Sequence, residues 1–271
     1  MFTILVPIDF SSASRSAADY AGQLAKELGA NLLLFHAYML PTPVSEVPYV
    51  LVTADQLQKE NEDLLKRESD RLFNEYGVQV EWLVRIGIPS TEIKVLTEER
   101  AISLIVMGMK GQNGLGKIIG STTTNTLQKV QTPLLIVPEN CGYTKPLNIT
   151  YATDFNYETP KETYLPLKEI AEKFDATVRV LHVTKEGEIL SADAISGKVG
   201  RGVFFENLRV EFHELSDNSI QAGITRFVEN HPTDILVMVA HTHNFLERLF
   251  TKSQTKHMAF ETRVPLLALK A

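Results

Sequence analysis

Cysteine is nearly missing from this chain of 271 residues: Cys141 stands alone. A single thiol cannot close an internal disulfide, so cross-links do not hold the fold, and a reducing compartment fits best. An excess of positive charge is also missing. The 27 lysines and arginines are outnumbered by 33 aspartates and glutamates, giving a formal net charge of -6. A chain of that sign has no general attraction to DNA, RNA or anionic lipid, so neither nucleic acid nor membrane is an expected partner. The N-terminal stretch Met1-Phe2-Thr3-Ile4-Leu5-Val6-Pro7-Ile8 lacks a basic segment and stops at Asp9, which fits neither a signal peptide nor a membrane span. The expected location is the cytoplasm. Catalytic signatures are scarce too. No nucleophile–base pair, paired carboxylates, Walker lysine or Mg²⁺ ligand cluster stands out. The His-x-Gly-His of adenylate-transferring enzymes and the Ser-Gly-Gly-x-Asp-Ser of ATP pyrophosphatases are absent, and efficient catalysis is not expected.

What is present is an ordinary globular composition, 44% hydrophobic and 22% charged, on a length that suits two domains. Apolar runs at Thr3–Pro7 and Asn31–His36 have no polar alternation, as strands buried on both faces require. Between them Ala17, Ala21, Leu24 and Leu28 recur with helical spacing, with Ser11 or Ser12 as N-cap and Gly29 as stop. Thr53-Ala-Asp-Gln56 is a capping-box pattern that opens a long charged helix to about Asn74. A strand at Gln79–Val84, a helix from Ser90, a strand at Ser103–Met107, a glycine-rich loop, a helix from Ser121 and a strand at Pro133–Val137 follow. Strands alternating with helices indicate an α/β fold with a parallel sheet.

The second half repeats the first. Ile4-Leu-Val-Pro-Ile-Asp9-Phe10 returns as Ile149-Thr-Tyr-Ala-Thr-Asp154-Phe155, and Leu34-Phe-His36-Ala37 as Val180-Leu-His182-Val183. Val80-Glu-Trp82 returns as Val210-Glu-Phe212, Ser103–Met107 as Ile235–Val239, and Thr132-Pro133-Leu-Leu as Val264-Pro265-Leu-Leu. Asp154 follows Asp9 by 145 residues and Pro265 follows Pro133 by 132, so the second copy is shorter between its second and third strands. The division read from this is residues 1–140 and 146–271, with Glu139–Pro146 as linker. Pro166 falls inside the helix expected between Thr159 and Phe174, where it should kink the helix or delay its start.

The richest candidate site follows the fourth strand: Met107-Gly108-Met-Lys-Gly111-Gln-Asn-Gly114-Leu-Gly116-Lys-Ile-Ile-Gly120-Ser121-Thr122. Glycines let a loop backbone approach a ligand, and a helix opening at Gly120-Ser121-Thr122 offers free N–H groups to an anion. Pro7-Ile8-Asp9 ends the first strand at the same crevice, so a carboxylate and phosphate-binding donors share one site. A glycine-rich turn without ligand is the alternative reading, with Asp9 capping the helix that starts near Ser11, and Lys110 and Lys117 simply solvated. With these residues in view, the chain resembles the universal stress protein family over essentially its whole length, as two copies. The resemblance implies two tandem doubly wound parallel sheets of about five strands. It also implies an adenine nucleotide, ATP with or without Mg²⁺, held by Pro7, Ile8, Asp9, Ala37, Met107, Gly108, Gly111, Gly120, Ser121 and Thr122. In ATP-binding members nine residues separate the second glycine from the Gly-Ser/Thr pair. Here Gln112 to Ile119 are eight, and Gly114 and Gly116 give the loop freedom to absorb the difference.

In the second copy Gly108, Gly111 and Gly120 are replaced by Ala240, His243 and Lys252, so the same mode of nucleotide binding is expected to be lost. Phe245, Leu246, Leu249 and Phe250 then fill the old crevice. A sharper alternative takes His241, His243 and Asp154 as Zn²⁺ ligands, although only two of them are close in sequence. His36 and His182, at matching strand positions, read as structural. The resemblance further implies that the last strands, Pro133–Val137 and Pro265–Leu269, meet across a pseudo-twofold within one chain, with further homodimerisation open. The function that follows is an ATP-responsive stress or regulatory module. A scaffold without nucleotide is one rival, and slow ATP hydrolysis or phosphotransfer through Ser121 or Thr122 is the other.

Overall fold

A computed structural model describes residues 2–40, 53–109, 121–153, 160–185, 207–240 and 264–271. The first series of elements is β1 (Thr3–Pro7), α1 (Ser12–Leu28), β2 (Asn31–Tyr38), α2 (Ala54–Tyr76), β3 (Val80–Ile86), α3 (Pro89–Glu99), β4 (Leu104–Met109), α4 (Ser121–Lys129) and β5 (Leu134–Pro138). The second is β6 (Asn148–Thr153), a 3-10 helix (Lys161–Tyr164), α5 (Leu165–Phe174), β7 (Thr177–Lys185), β8 (Arg209–Asp217), α6 (Ile220–Asn230), β9 (Ile235–Ala240) and β10 (Leu266–Lys270).

The boundaries follow local chemistry. Ser11 caps α1, its hydroxyl accepting from the Ser14 N–H at 3.3 Å, and Gly29 ends the helix in the left-handed region at φ 67°. At α2 both halves of the capping box form. The Gln56 N–H donates to Thr53 Oγ1 at 3.2 Å, and the Thr53 N–H donates to Gln56 Oε1 at 3.0 Å. Pro166 delays rather than kinks: α5 begins at Leu165 with the proline in its first turn, after the 3-10 helix.

All ten strands join one sheet in the order β3-β2-β1-β4-β5-β10-β9-β6-β7-β8. Each series contributes five mutually parallel strands, and the two series meet where β10 runs antiparallel to β5, with Leu266 opposite Ile136, Leu267 opposite Leu135 and Ala268 opposite Leu134. On one face, α1, α2 and α5 cover Ile4, Val6, Leu135, Ile149, Val237 and Leu267. On the other, α3, α4 and α6 cover Leu5, Ile105, Ile136, Met238 and Leu266. Both apolar layers therefore run across the junction. No helix among the described residues is long and apolar enough to cross a membrane.

Leu267 is fully buried and lies in the middle of the junction. Leu267→Ala is expected to lower the stability of the whole chain by about 2–5 kcal/mol in urea-induced unfolding, the range for emptying a packed leucine site. A midpoint equal to wild type would show that the junction carries no part of the fold's stability.

Candidate functional site

Strand order within the first series reverses its direction of growth between β1 and β4, and open α/β sheets take ligands beyond the strand C-termini at such a switch point. Pro7 ends β1 opposite Phe35 of β2, and Leu5 lies opposite Ile105 of β4, so Met107 stands level with Pro7 on the other side. The exit of β1 is tied to β2 twice. The buried Ile8 N–H donates to the Phe35 carbonyl at 2.7 Å, and its own carbonyl lies 2.6 Å from Nδ1 of the buried His36. A carbonyl only accepts, so His36 carries its proton on Nδ1. Phe10, in the left-handed region at φ 61°, turns the chain and sets its ring centroid 4.8 Å from that of His36, the two planes tilted by 44°.

That turn sets Asp9 on the exposed rim. Its Oδ1 accepts from the Ser11 N–H at 3.0 Å and from Ser11 Oγ at 2.5 Å. The helix cap is thus Ser11, and Asp9 braces that cap. Ala37, half-buried near the end of β2, borders the same edge. Across the switch point Met107 is buried, and Gly108 meets the first turn of α1. A Cβ at Gly108 would lie 2.2 Å from the Ala13 carbonyl oxygen, a backbone atom with no freedom to retreat. The sequence reading gave this glycine to a ligand; the structure supplies a packing reason that acts without one. The Gly108 carbonyl accepts from Thr123 Oγ1 at 3.4 Å, which fixes α4 against β4. Ser121 and Thr122 open α4, where a helix presents unpaired N–H groups. Gly111 and Gly120, with Gly114, Gly116, Lys110 and Lys117, lie outside the described residues.

One rim residue escaped the sequence reading, which assigned Glu139 to the linker. Its N–H extends the β4–β5 ladder to the Met109 carbonyl at 3.0 Å, and its carboxylate accepts from Ser12 Oγ at the mouth of α1. The available signal was position, because a residue directly after a final parallel strand emerges at the same edge as those after β1 and β4.

The second series repeats the histidine brace: His182, also buried, has Nδ1 2.9 Å from the Thr153 carbonyl. The structural reading of the two histidines matches these bonds. Strand pairing shifts the register read from the sequence by one residue: Ile4 lies opposite Leu104 as Ile149 lies opposite Ile235, so the buried Val239, and not Ala240, stands where Gly108 stands in β4. There α5 begins only at Leu165, whereas α1 brings Ala13 against Gly108. Asp154, His241, His243 and Lys252, and the apolar Phe245, Leu246, Leu249 and Phe250, lie outside the described residues. Among the described residues no cluster of three or more His, Cys, Asp or Glu side chains could hold a metal ion.

Residues 1–138 match the model of the universal stress protein family. The chain belongs to that family. A universal stress protein of Methanocaldococcus jannaschii is 30% identical over 138 residues, covering 49% of this chain and 80% of that protein. Universal stress protein YxiE of Bacillus subtilis is 33% identical over 144 residues, covering 49% of this chain and 97% of that one. A crystal structure of a universal stress protein from Archaeoglobus fulgidus superposes with a TM-score of 0.77 and 19% identity over 99% of this chain and 98% of its own, a likeness of fold. The universal stress protein fold expected from the sequence, α/β with parallel strands and alternating helices, is the fold observed.

The packing account of Gly108 has a direct check. Gly108→Ala is expected to cost about 1–3 kcal/mol of stability without any nucleotide present, the range for overpacking a tight site. Equal urea midpoints for wild type and Gly108→Ala, with ligand binding lost, would return this glycine to the ligand.

Proposed function

We propose that the chain is an ATP-responsive regulatory module of the stress response, working in the cytoplasm. An adenine nucleotide, alone or with Mg²⁺, sits in the crevice of residues 1–140, while residues 146–271 serve as a degenerate structural copy. The observation that carries this reading is the meeting of two unlike groups at the β1/β4 switch point. The Asp9 rim carboxylate leaves β1 on the same edge from which the chain leaves β4 toward Ser121 and Thr122 of α4. A carboxylate suits ribose hydroxyls, and a helix N-terminus suits phosphate. Gly111 and Gly120 supply the bare backbone between them in this reading, and the second copy, which carries no glycine after Gly223, lacks it. The antiparallel β5–β10 junction supports a further part of the reading, an intramolecular pseudo-dimer that supplies within one chain what single-domain relatives obtain from two.

A scaffold that binds no nucleotide is the second reading, and the packing role of Gly108 favours it at that one position. Equilibrium titration with ATP, together with mass spectrometry of any ligand released from the purified protein, separates the two. The expected result is one ATP per chain, with affinity at least about tenfold weaker in Gly111→Val, a loss of about 1.4 kcal/mol. Binding by neither protein would establish the scaffold, and nucleotide held by residues 146–271 instead would defeat the proposal.

A further inference from the structure

A cleft of about 400 Å³ lies where the two series of strands meet, past the N-terminal ends of β4 and β5 and beside the C-terminal end of β10. The repeat explains why it is open. In the register set by His36 and His182, Pro166 stands where Tyr20 stands in the first series. Tyr20 is buried, its ring meets that of Tyr143 edge-on at 5.1 Å, and α1 packs across β4 and β5. The second series has a proline ring in place of that phenol and a helix that begins at Leu165, so the corresponding volume is left vacant.

The lining has a distinct chemistry. Leu165, half exposed, forms an apolar wall with Pro166 and, from the first series, Pro133. Three charged groups face the cleft: Lys270 at the end of β10, and Glu162 and Glu169 from the 3-10 helix and α5. None of the three forms an ion pair with another described residue. Lys270 is half-buried, and desolvation holds its ammonium below the ordinary lysine value, so an incoming anion would gain a poorly hydrated partner. A simple anion would also meet two carboxylates, and a simple amine would meet Lys270. A molecule carrying both charges satisfies all three groups.

We infer that this cleft binds a small amphoteric molecule, a free amino acid with an apolar side chain, its carboxylate on Lys270, its ammonium on Glu162 or Glu169 and its side chain against Leu165, Pro166 and Pro133. The volume falls within the range of small-molecule sites. The site is independent of the nucleotide crevice, which opens at the other end of β4, from Ser103 at the cleft to Gly108 at the switch point.

The test is titration of the full chain with L-leucine, followed by calorimetry and ligand-observed NMR, with isovalerate and isopentylamine as single-charge controls. Leucine should bind, and each control should bind at least tenfold more weakly. Lys270→Met should weaken leucine at least tenfold, and Pro166→Tyr, which restores the first copy's residue, should abolish binding. ATP titration should be unchanged in both variants. If Pro166→Tyr does not fold by circular dichroism, Lys270→Met carries the test alone. No binding by leucine or any other apolar amino acid, controls that bind as tightly as leucine, or a Lys270→Met protein with wild-type affinity would each overturn the assignment.

Discussion

The β5–β10 ladder is the constraint on which the rest of the molecule depends. Every residue of β5 is buried, as are Leu266 to Leu269 of β10, so neither strand could stand at a solvent edge without exposing both an apolar row and unpaired N–H and C=O groups. Paired to each other, they cover that liability and make the two apolar layers continuous. The edges that remain are β3 and β8. They are dressed with charge: Glu81 and Arg85 on one, Arg209, Glu211, Glu214 and Asp217 on the other, several engaged in ion pairs with neighbouring elements. Charged edges of this kind resist further strand addition, even though Trp82 and Phe212 lie exposed at matching places.

The second series of elements keeps the frame of the first and relaxes its contents. The imidazole that grips the first-strand carbonyl recurs in both copies, His36 on Ile8 and His182 on Thr153, because it ties adjacent strand exits together whatever else the crevice holds. The helix after the first strand has diverged. In the first copy it starts at Ser12 and presses its first turn against Gly108; in the second, α5 starts at Leu165 behind a proline. One divergence accounts for two differences, the tolerance of valine at position 239 and the opening of a cleft beside Lys270.

Much of this was readable from residues alone, and the reasons are local. Leu32 to Phe35 and Leu104 to Met107 are apolar on consecutive positions, which only a strand covered on both faces uses. Thr53 with Gln56, Ser11 and Gly29 marked helix ends because capping is a short-range bond. What escaped depended on distance in sequence. Gly108 looked like a ligand position because nothing in its own neighbourhood reveals that the Ala13 carbonyl waits 2.2 Å from its missing Cβ. Glu139 looked like linker until its bond to Ser12, far away in the chain, was seen. The vacancy left by Pro166 in place of Tyr20 is a property of two helices and a neighbouring strand series, and no single segment encodes it.

The polarity of the sheet has one further consequence. Because β10 opposes β5, all strands of the first series point their C-termini one way and those of the second the other, so the two copies open toward opposite margins of the molecule. The strand C-termini of one series therefore lie beside the strand N-termini of the other. Between Gly108 and Ser103 runs β4, roughly 17 Å of extended backbone at about 3.3 Å per residue. That single strand separates the Lys270 cleft, at its Ser103 end, from the switch point at Gly108, so the two margins lie one strand length apart although they face away from each other.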